Sequence, residues 1–289
     1  MDAGERIERA LEAAVIRAQS GNCPPGLAGA IRHAVFSGGA RVRPRLTLAV
    51  AEACGGQEPA IAEAAAASIE MLHCASLVHD DLPCFDNAAL RRGRPSVHAL
   101  YGAPLALLAG DALIVMAFET LARGVSGSAH YLSPLMATIT RGVGAPFGIV
   151  AGQAWESEPN PPVEQYRCAK TGALFVAATV SGAIAGGGDP TAWRSLGLRL
   201  GEAYQVADDL LDAVSSQDEG GKPVRQDAAL GRPNAVSELG ILGAVEKLEC
   251  LVEDAVRAIP ACEGESELRE LVRMQAVRLA PKRFLRSAA

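Results

Sequence analysis

The strongest structural signal in this chain is IEMLHCASLVHDDLPCFDNAALRRG, residues 69–93. The run from Ala60 to Val78 is rich in helix-forming Ala, Leu, Ile and Met and contains no Gly or Pro, so it predicts an apolar helix. A proline shortly afterwards ends regular helix, which places Asp80 and Asp81 at the helix C-terminus. Carboxylates are disfavoured at that end of the helix dipole, but a bound Mg²⁺ would reverse the penalty. On this motif alone, an exposed acidic helix end is the alternative interpretation.

A second acidic cluster ends another predicted apolar helix. Asp208 and Asp212 are four residues apart, so they share one helix face, with Asp209 and Gln205 beside them. Like charges at this spacing repel each other unless a counter-ion lies between them. Because Asp86 follows the first pair, the chain has two clusters of three carboxylates. Such clusters, with Arg and Lys nearby, suit a diphosphate whose oxygens are bridged by metal ions.

The composition predicts an all-α protein. Apolar residues make up 49% of the 289 residues but aromatic residues only 4%, which favours closely packed helices over a β-sandwich. The sequence has no internal repeat and no strand-like alternation, so we expect one domain over residues 1–289. The net charge of −6 argues against a nucleic-acid binder, which normally carries a basic surface.

Cysteine usage and apolar stretches predict a soluble cytoplasmic protein. The seven cysteines are odd in number and form no Cys-x-x-Cys pair, which favours reduced thiols. Charged residues interrupt the first turn, so we expect no signal peptide. The apolar stretches 99–117 and 173–185 are cut by Pro104 and Asp111 or are shorter than the roughly 20 residues of a membrane span. We therefore expect no membrane span.

The two acidic motifs resemble those of trans-isoprenyl diphosphate synthases. The first matches Asp-Asp-(four residues)-Asp at Asp80 to Asp86, and the second matches Asp-Asp-x-x-Asp at Asp208 to Asp212. The sequence around the first motif is similar to that of bacterial geranylgeranyl diphosphate synthases of carotenoid pathways. The resemblance runs from about Gly38 to Asn234. It implies a single large all-α helical bundle around a central cavity, of the isoprenoid synthase type, and a homodimer.

The resemblance assigns one group of residues to isopentenyl diphosphate. In the family, a turn with the pattern Gly-Gly-Lys-x-x-Arg holds the diphosphate of this substrate. This chain matches the pattern at both glycines and at Arg43, but Ala40 stands where lysine is usual. We hypothesise that Arg41 supplies the missing charge. His73 and Arg92 match further family contacts to the same substrate.

A second group is assigned to the allylic diphosphate. Its members are Arg91, Lys170 and Thr171. Further predicted substrate-binding residues are Gln205, Lys222 and Arg232. Two of them, Lys222 and Arg232, lie in the polar, Gly-rich segment 215–233, which in the family folds over the diphosphates. Arg232 stands where lysine is usual. Further upstream, the segment ending at Glu156 resembles the family's Gly-Gln-x-x-Asp, with Glu156 in place of the aspartate.

The reaction that the resemblance implies is a magnesium-assisted prenyl transfer. The expected Mg²⁺ ligands are the carboxylates of Asp80, Asp81, Asp86, Asp208, Asp209 and Asp212. Bound metal ions, together with Lys170, would stabilise the negative charge that grows on the leaving diphosphate. The allylic substrates would be dimethylallyl, geranyl and farnesyl diphosphate. The double bond of isopentenyl diphosphate would attack the resulting allylic cation, and a proton would then be lost.

Product length is predicted from two small residues before the first motif. Ala75 lies five residues, roughly 7.5 Å of helix, before Asp80, and Ser76 follows it. Bacterial farnesyl synthases typically have an aromatic residue at this position, so the small side chains predict geranylgeranyl diphosphate as the product. Three alternatives stay open. They are a farnesyl diphosphate synthase, a non-catalytic subunit that modulates another synthase, which Ala40 would favour, and a class I terpene cyclase.

Overall fold

The computed structural model describes residues 1–214 and 234–279, and most of this part of the chain is helical. The first six helices are α1 (Ala3–Ala18), α2 (Pro25–Phe36), α3 (Val42–Ala53), α4 (Pro59–Asp80), α5 (Val97–Tyr101) and α6 (Ala103–Gly124). The other described helices are α7 (Leu132–Val143), α8 (Ile149–Trp155), α9 (Val163–Arg167), α10 (Ala173–Gly186), α11 (Arg194–Val214), α12 (Ala235–Arg257) and α13 (Glu265–Leu279). The prediction of an all-α fold is confirmed. Two of the predicted site residues, Lys222 and Arg232, lie outside the described residues.

Helix α4 is surrounded by other helices, as its composition predicts. It runs for 22 residues from Pro59, which is tolerated in the first turn, to Asp80. Its side chains are buried on most sides, and it packs against α3, α6 and α10. A helix that is apolar all round is stable only when it is enclosed in this way. The predicted helix end is confirmed, because Asp80 is the last residue and Asp81 is the C-cap.

A second enclosed helix, α10, lies close against α3. A Cβ atom on Gly182 of α10 would lie 2.5 Å from the carbonyl oxygen of Thr47 in α3, so only glycine allows this approach. Small residues at such crossings let the helix axes come close together, which explains how a core poor in aromatic residues can be well packed. The contact also places the first turn of α3 beside Phe175 of α10.

Three described segments are long and apolar enough to span a membrane by length and composition, namely α4, α6 and the segment from α9 to α10. The expectation that Pro104 and Asp111 interrupt the second of them is wrong, because α6 continues through both residues. Proline is tolerated in the first turn of a helix, and Asp111 is exposed. The buried share of the apolar window is 78%, 44% and 78%, respectively. Helix α6 therefore leaves apolar side chains exposed, including Leu107, Leu108 and Val115.

A short β-hairpin follows the first acidic motif, where no strand was predicted. Strands β1 (Leu90–Arg91) and β2 (Arg94–Pro95) pair antiparallel and are the only strands in the described part of the chain. The turn residues Arg92 and Gly93 have φ values of 55° and 73°, the combination that suits a tight two-residue hairpin. Nε2 of His33 in α2 lies 2.8 Å from the carbonyl oxygen of Pro95 and ties the hairpin to the helices.

Candidate active site

An arginine of the hairpin pairs with the first two aspartates of the first acidic motif. Asp81 is 3% exposed and accepts hydrogen bonds from Nε of Arg91 at 2.9 and 3.2 Å. The guanidinium of Arg91 also lies 3.3 Å from Oδ2 of Asp80. Burial opposes the charged form of Arg91, but the hydrogen bond and the charge of Asp81 outweigh it and raise the pKa of Arg91. Arg91 thus offsets the unfavourable position of two carboxylates at a helix C-terminus.

The loop after α4 folds back so that Asp86 returns to Asp80. The backbone N–H of Asp86 donates to the carbonyl oxygen of Asp80 at 3.0 Å, and that of Asn87 donates to Leu82 at 3.0 Å. Carboxylate oxygens of Asp80, Asp86 and Glu156 lie within 4.8 Å of one another. We call these three residues the acidic cluster. Carboxylate oxygens grouped in this way are the ligands that hard divalent cations prefer.

Glu156 was not in the predicted set of site residues, although its resemblance to the Gly-Gln-x-x-Asp aspartate was the signal that could have placed it there. The hydroxyl of Tyr166 donates to Oε1 of Glu156 at 2.7 Å, and Nε2 of Gln153 donates to Oε2 at 3.0 Å. Nζ of Lys170 forms an ion pair with Glu156 and lies 3.7 Å from Oδ1 of Asp80. Glu156 is therefore held in one orientation, facing the first acidic motif.

Lys170 and Thr171 lie in a π-helical turn. The turn spans Cys168–Gly172 between α9 and α10. Such turns widen an α-helix locally and are frequent at functional sites. A Cβ atom on Gly152 in α8 would lie 2.4 Å from Cα of Lys170, so glycine lets α8 pack directly on the π turn. Because Glu156 is the C-cap of α8, this close contact brings Glu156 to Lys170.

The second acidic motif lies on α11 and contacts the start of α12. Asp209 is 1% exposed and accepts hydrogen bonds from Nε2 of Gln205 at 3.0 Å and from the backbone N–H of Ala235 at 2.7 Å. The hydroxyl of Thr171 donates to Oε1 of Gln205 at 2.7 Å, which joins this motif to the π turn. Asp209 thus positions the first residue of α12. The other acidic residues of the motif are Asp208, which is exposed, and Asp212, which is half-buried.

Arg43 is a buried cation in the first turn of α3. It is 8% exposed, and its guanidinium carbon lies 4.6 Å from the ring centroid of Phe175 and 5.4 Å from that of Tyr204. Its terminal nitrogen lies 3.4 Å from Nε2 of His73. Within residues 1–214 and 234–279 it forms no ion pair, and its Nε has no hydrogen-bond partner. Burial lowers the pKa of Arg43. A guanidinium held in this way suits an anionic ligand.

His73 is neutral at physiological pH. Burial, followed by the charges of Arg43, Arg92 and Arg91, holds the pKa of His73 well below its ordinary value of 6.5. A neutral imidazole can accept a hydrogen bond from the neighbouring guanidinium. His73 therefore orients Arg43 without adding a further positive charge.

Arg92 completes a group of basic residues around the N-terminus of α3. Its guanidinium donates to the carbonyl oxygen of Gly38 in the glycine turn. Within the described residues, the N-cap residue of α3 makes no side-chain capping hydrogen bond, and no acidic residue lies in the first turn. A helix N-terminus of this kind, with cations beside it, favours a bound anion. We call Arg43, His73 and Arg92 the basic cluster.

The structure does not support the hypothesis that Arg41 supplies the charge missing at Ala40. The Arg41 side chain is 7% exposed and faces the interior. It donates to Oε1 of Glu70 at 2.7 Å, to Oε1 of Glu8 at 2.8 Å and to the carbonyl oxygen of Val35 at 2.7 Å. The guanidinium is thus bound to protein groups on three sides, and the charge that faces the glycine turn comes from Arg92.

The residues predicted to set product length lie on the inward side of α4. Ala75 is 1% exposed, and Ser76 is half-buried, with its hydroxyl donating to the carbonyl oxygen of His73 at 2.8 Å. Both side chains are small, as the prediction requires. Their effect on product length stays a prediction.

Comparisons with known proteins bear on these features. A family model described as polyprenyl synthetase matches residues 24–267. The chain belongs to the polyprenyl synthetase family. It is 50% identical over 277 residues to a geranylgeranyl diphosphate synthase from Cereibacter sphaeroides and 49% identical over 276 residues to one from Rhodobacter capsulatus, with 96% of each chain covered. The structure of a geranyltransferase from Helicobacter pylori, complexed with magnesium and isoprenyl diphosphate, matches with a TM-score of 0.79 and 29% identity over 96% of this chain and 98% of that one.

The resemblance inferred from the two acidic motifs is thereby confirmed. The chain is an enzyme of the prenyltransferase class, and its predicted function, of the geranylgeranyl diphosphate synthase type, agrees with these relatives. The related Helicobacter pylori structure shows that a member of this fold binds magnesium and an isoprenyl diphosphate.

Proposed function

We propose that this polyprenyl synthetase makes geranylgeranyl diphosphate from isopentenyl diphosphate and allylic diphosphates, with Mg²⁺ as cofactor. The proposal rests on the acidic cluster, which lies beside Lys170 at the C-terminal end of α4. His73, which faces Arg43, lies two turns earlier on the same helix. The two clusters are about 10 Å apart along the helix axis. They provide separate sites for the diphosphates of the two substrates.

The acidic cluster suits a magnesium ion. The three carboxylates offer oxygens within 4.8 Å of one another, and Mg²⁺ prefers oxygen ligands. Asp80, Asp86 and Glu156 would therefore hold the ion. Asp208 and Asp212, on the second motif, are the further ligands that we assign. When bound, magnesium neutralises charge that grows on the leaving diphosphate.

Asp81 and Asp209 stay in the predicted set of ligands, but their burial supports a positioning role. Asp81 holds the guanidinium of Arg91, and Asp209 holds the start of α12. Each is the second aspartate of its motif and points into the protein, whereas the first aspartate is the more exposed. In each motif the second carboxylate thus holds a protein group, which is the side chain of Arg91 for Asp81 and the backbone N–H of Ala235 for Asp209.

The chain's own residues then hold the allylic diphosphate. Lys170 contacts two carboxylates of the acidic cluster, so its ammonium lies where a metal-bound diphosphate would be placed. Thr171 and Gln205 present a hydroxyl and an amide beside it. Arg91 adds positive charge beside Oδ2 of Asp80, whereas Lys170 lies beside Oδ1. Lys222 and Arg232 stay predicted substrate-binding residues.

Isopentenyl diphosphate binds at the basic cluster. The guanidinium groups of Arg43 and Arg92 and the open N-terminus of α3 receive its diphosphate, and His73 orients Arg43. The homoallylic double bond is then directed along α4 towards the acidic cluster. No protein nucleophile takes part in the reaction.

The chemical step breaks the C1–O bond of the allylic diphosphate, and the diphosphate leaves with the electron pair. The double bond of isopentenyl diphosphate supplies the electrons of the new C–C bond to the allylic carbon. The cation that results loses a proton to the departing diphosphate and forms the new double bond. The apolar side chains of the core exclude water, which would otherwise capture the cation.

The test is to incubate the purified protein with isopentenyl diphosphate, each allylic diphosphate in turn, and Mg²⁺, and to resolve the products by chain length. A dominant twenty-carbon product is expected. The variant Ala75→Phe should shift the product to fifteen carbons. The control variant Ala60→Phe, at an exposed position of α4, should not change the product. Farnesyl diphosphate as the main wild-type product would refute the role of Ala75. No product from folded protein would refute the proposed activity.

We further propose that the chain is one domain and forms a cytoplasmic homodimer that serves carotenoid biosynthesis. The exposed apolar side chains of α6, at Leu107, Leu108 and Val115, support a dimer, because such a surface is otherwise unfavourable in water. Light scattering with the variant Val115→Glu tests the assembly. Loss of the dimer is expected, and an unchanged molar mass would exclude this surface.

A further inference from the structure

The strongest feature that the proposed function does not use is the buried ion pair of Arg41 and Glu70. Glu70, on α4, is 2% exposed, and Oε1 accepts from Arg41 at 2.7 Å. Arg41 also binds Glu8 on α1 and the carbonyl oxygen of Val35 on α2. Burial lowers the pKa of Arg41, but the bonds to Glu8 and Glu70 outweigh this effect and raise it. The guanidinium of Arg41 therefore connects α1, α2 and α4 to the N-cap of α3.

Arg41 adopts a backbone conformation that is unfavourable for its residue type. Its φ of 49° and ψ of 41° place it in the left-handed region, at the N-cap of α3. Residues other than glycine seldom adopt this conformation, so the side-chain bonds of Arg41 must stabilise it. Two residues later, α3 presents Arg43 to the basic cluster. Arg41 thus lies directly before the helical turn that carries Arg43.

Glu70 is also the carboxylate most able to disturb the basic cluster. It lies one turn before His73 on α4, and residues at this spacing share a helix face. Its charge acts on Arg43, which forms no ion pair within the described residues. A buried carboxylate without its own partner would attract the nearest cation or take up a proton. Arg41 supplies that partner and leaves Arg43 to an anionic ligand.

We propose that Arg41 is a positioning residue, which neutralises Glu70 and thereby keeps Arg43 available for the diphosphate of isopentenyl diphosphate. The inference rests on the proposed function, because it takes the basic cluster as the site of this substrate. It assigns Arg41 no contact with the substrate. It therefore differs from direct replacement of the family's lysine by Arg41.

A double-variant cycle tests the proposal. Arg41→Met leaves Glu70 buried without its main partner, whereas Arg41→Met with Glu70→Met replaces the whole pair by apolar side chains of similar size. The control is Arg45→Met, an arginine of the same helical turn whose guanidinium lies against Gly4 of α1. Binding of isopentenyl diphosphate is measured by calorimetry, and KM and kcat are measured for both substrates.

For Arg41→Met, we expect binding of isopentenyl diphosphate to weaken about tenfold or more, with the KM of the allylic substrate unchanged. The double variant should return to within about threefold of wild type, because neither charge remains. An unchanged single variant would overturn the proposal. Equal weakening in the single and double variants would also overturn it and would favour direct contact with the substrate. If Arg41→Met does not fold, the double variant is compared with wild type alone. Binding of isopentenyl diphosphate within about threefold of wild type supports the proposal, and weaker binding overturns it.

The same measurements separate this proposal from the proposed function. Wild-type protein that binds isopentenyl diphosphate but forms no product would refute the activity and leave the cycle interpretable by calorimetry. Wild-type turnover with no difference between the variants would refute the role of Arg41 alone. Wild-type protein that neither binds isopentenyl diphosphate nor forms product would refute both.

Discussion

The acidic cluster and the basic cluster each have one member on α4, Asp80 and His73, but they balance their charges differently. In the acidic cluster, Glu156 and Asp80 are contacted by Lys170, and Arg91 contacts Asp80 from the hairpin. In the basic cluster, Arg43 is stacked on aromatic rings and has no carboxylate partner in the described residues. The acidic cluster is thus compensated by protein groups, whereas the basic cluster retains a positive charge for an anion.

The buried charge of Arg43 in the basic cluster affects the stability of the folded protein. A buried cation that lacks an ion pair is unfavourable, and cation–π contacts return only part of the lost hydration energy. A diphosphate bound at Arg43 would therefore stabilise the folded protein as well as occupy the site. The acidic cluster would gain less, because a metal ion must first displace the contacts of Lys170.

Asp80→Asn should have the largest effect because it removes one charge from the acidic cluster. We expect kcat to fall by about 10²–10³-fold, as for other single groups that stabilise a charged transition state. The KM for isopentenyl diphosphate should change little, since the basic cluster is untouched. Steady-state kinetics checks both values, with Asp254→Asn, in an exposed pair with Arg257, as the control. An equal change in KM for isopentenyl diphosphate would show that the two clusters are not separate.

Arg43→Lys should come next. The planar guanidinium of Arg43 can stack on Phe175 and Tyr204 and at the same time bind a phosphate through two parallel N–H groups. The ammonium of lysine can do neither. We expect the KM for isopentenyl diphosphate to rise by about 10–100-fold, which corresponds to about 1.5–3 kcal/mol for a hydrogen bond to a charged group. The control is Arg45→Lys. A wild-type KM would mean that the stacked geometry of Arg43 does not matter for binding.

Glu156→Gln tests whether Glu156, which lies beside Asp80 and Asp86, also contributes to metal binding. Affinity for Mg²⁺ should fall by about tenfold, the lower end of the effect of groups around a metal site. The amide still accepts a hydrogen bond from Tyr166, so the fold should persist. Titration of Mn²⁺ followed by electron paramagnetic resonance measures binding without turnover. The control is Glu158→Gln, a variant of an exposed neighbour. Equal metal affinities of wild type, Glu156→Gln and Glu158→Gln would show that Glu156 does not contribute to metal binding.

His73→Gln should have the smallest effect, which is a change in how the free energy of unfolding depends on pH. The folded protein keeps the pKa of His73 well below 6.5, whereas the unfolded chain titrates near 6.5. Below that pH the unfolded state takes up a proton that the folded state does not, so the free energy of unfolding falls as pH falls. The variant should lose less stability than wild type from pH 6.5 downward. Denaturant unfolding at several pH values checks this, and parallel curves would contradict the neutral state of His73. The control is His130→Gln, an exposed histidine.

Much of the site could be predicted because its signals are local. The spacing of Asp80, Asp81 and Asp86 and of Asp208 to Asp212 is read directly from the chain, and an apolar run ended by a proline predicts where α4 ends. The family resemblance added Lys170 and Arg43 at positions whose local sequence alone says little. The all-α class followed from composition, since a core of small and aliphatic residues suits close helix packing.

Other features could not be predicted because they depend on residues that are distant in sequence. Glu156 joins the acidic cluster only because Gly152 lets α8 pack on the π turn. Arg41 was expected at the substrate, but Glu70 on another helix draws it inward. The hairpin that positions Arg91 was missed, since strands of two residues are too short to show a periodic pattern.

By itself, the sequence determined the helical class, the end of α4 and the residue types that a diphosphate and a metal ion require. Only the tertiary structure decided which carboxylates meet, which arginine is paired and which is left for a ligand. The physical reason is that helix periodicity and capping act within a few residues, whereas ion pairs and burial depend on which helices pack together. Asp80 and Glu156 illustrate this, because their contact follows from the packing of α8 on the π turn beside α4.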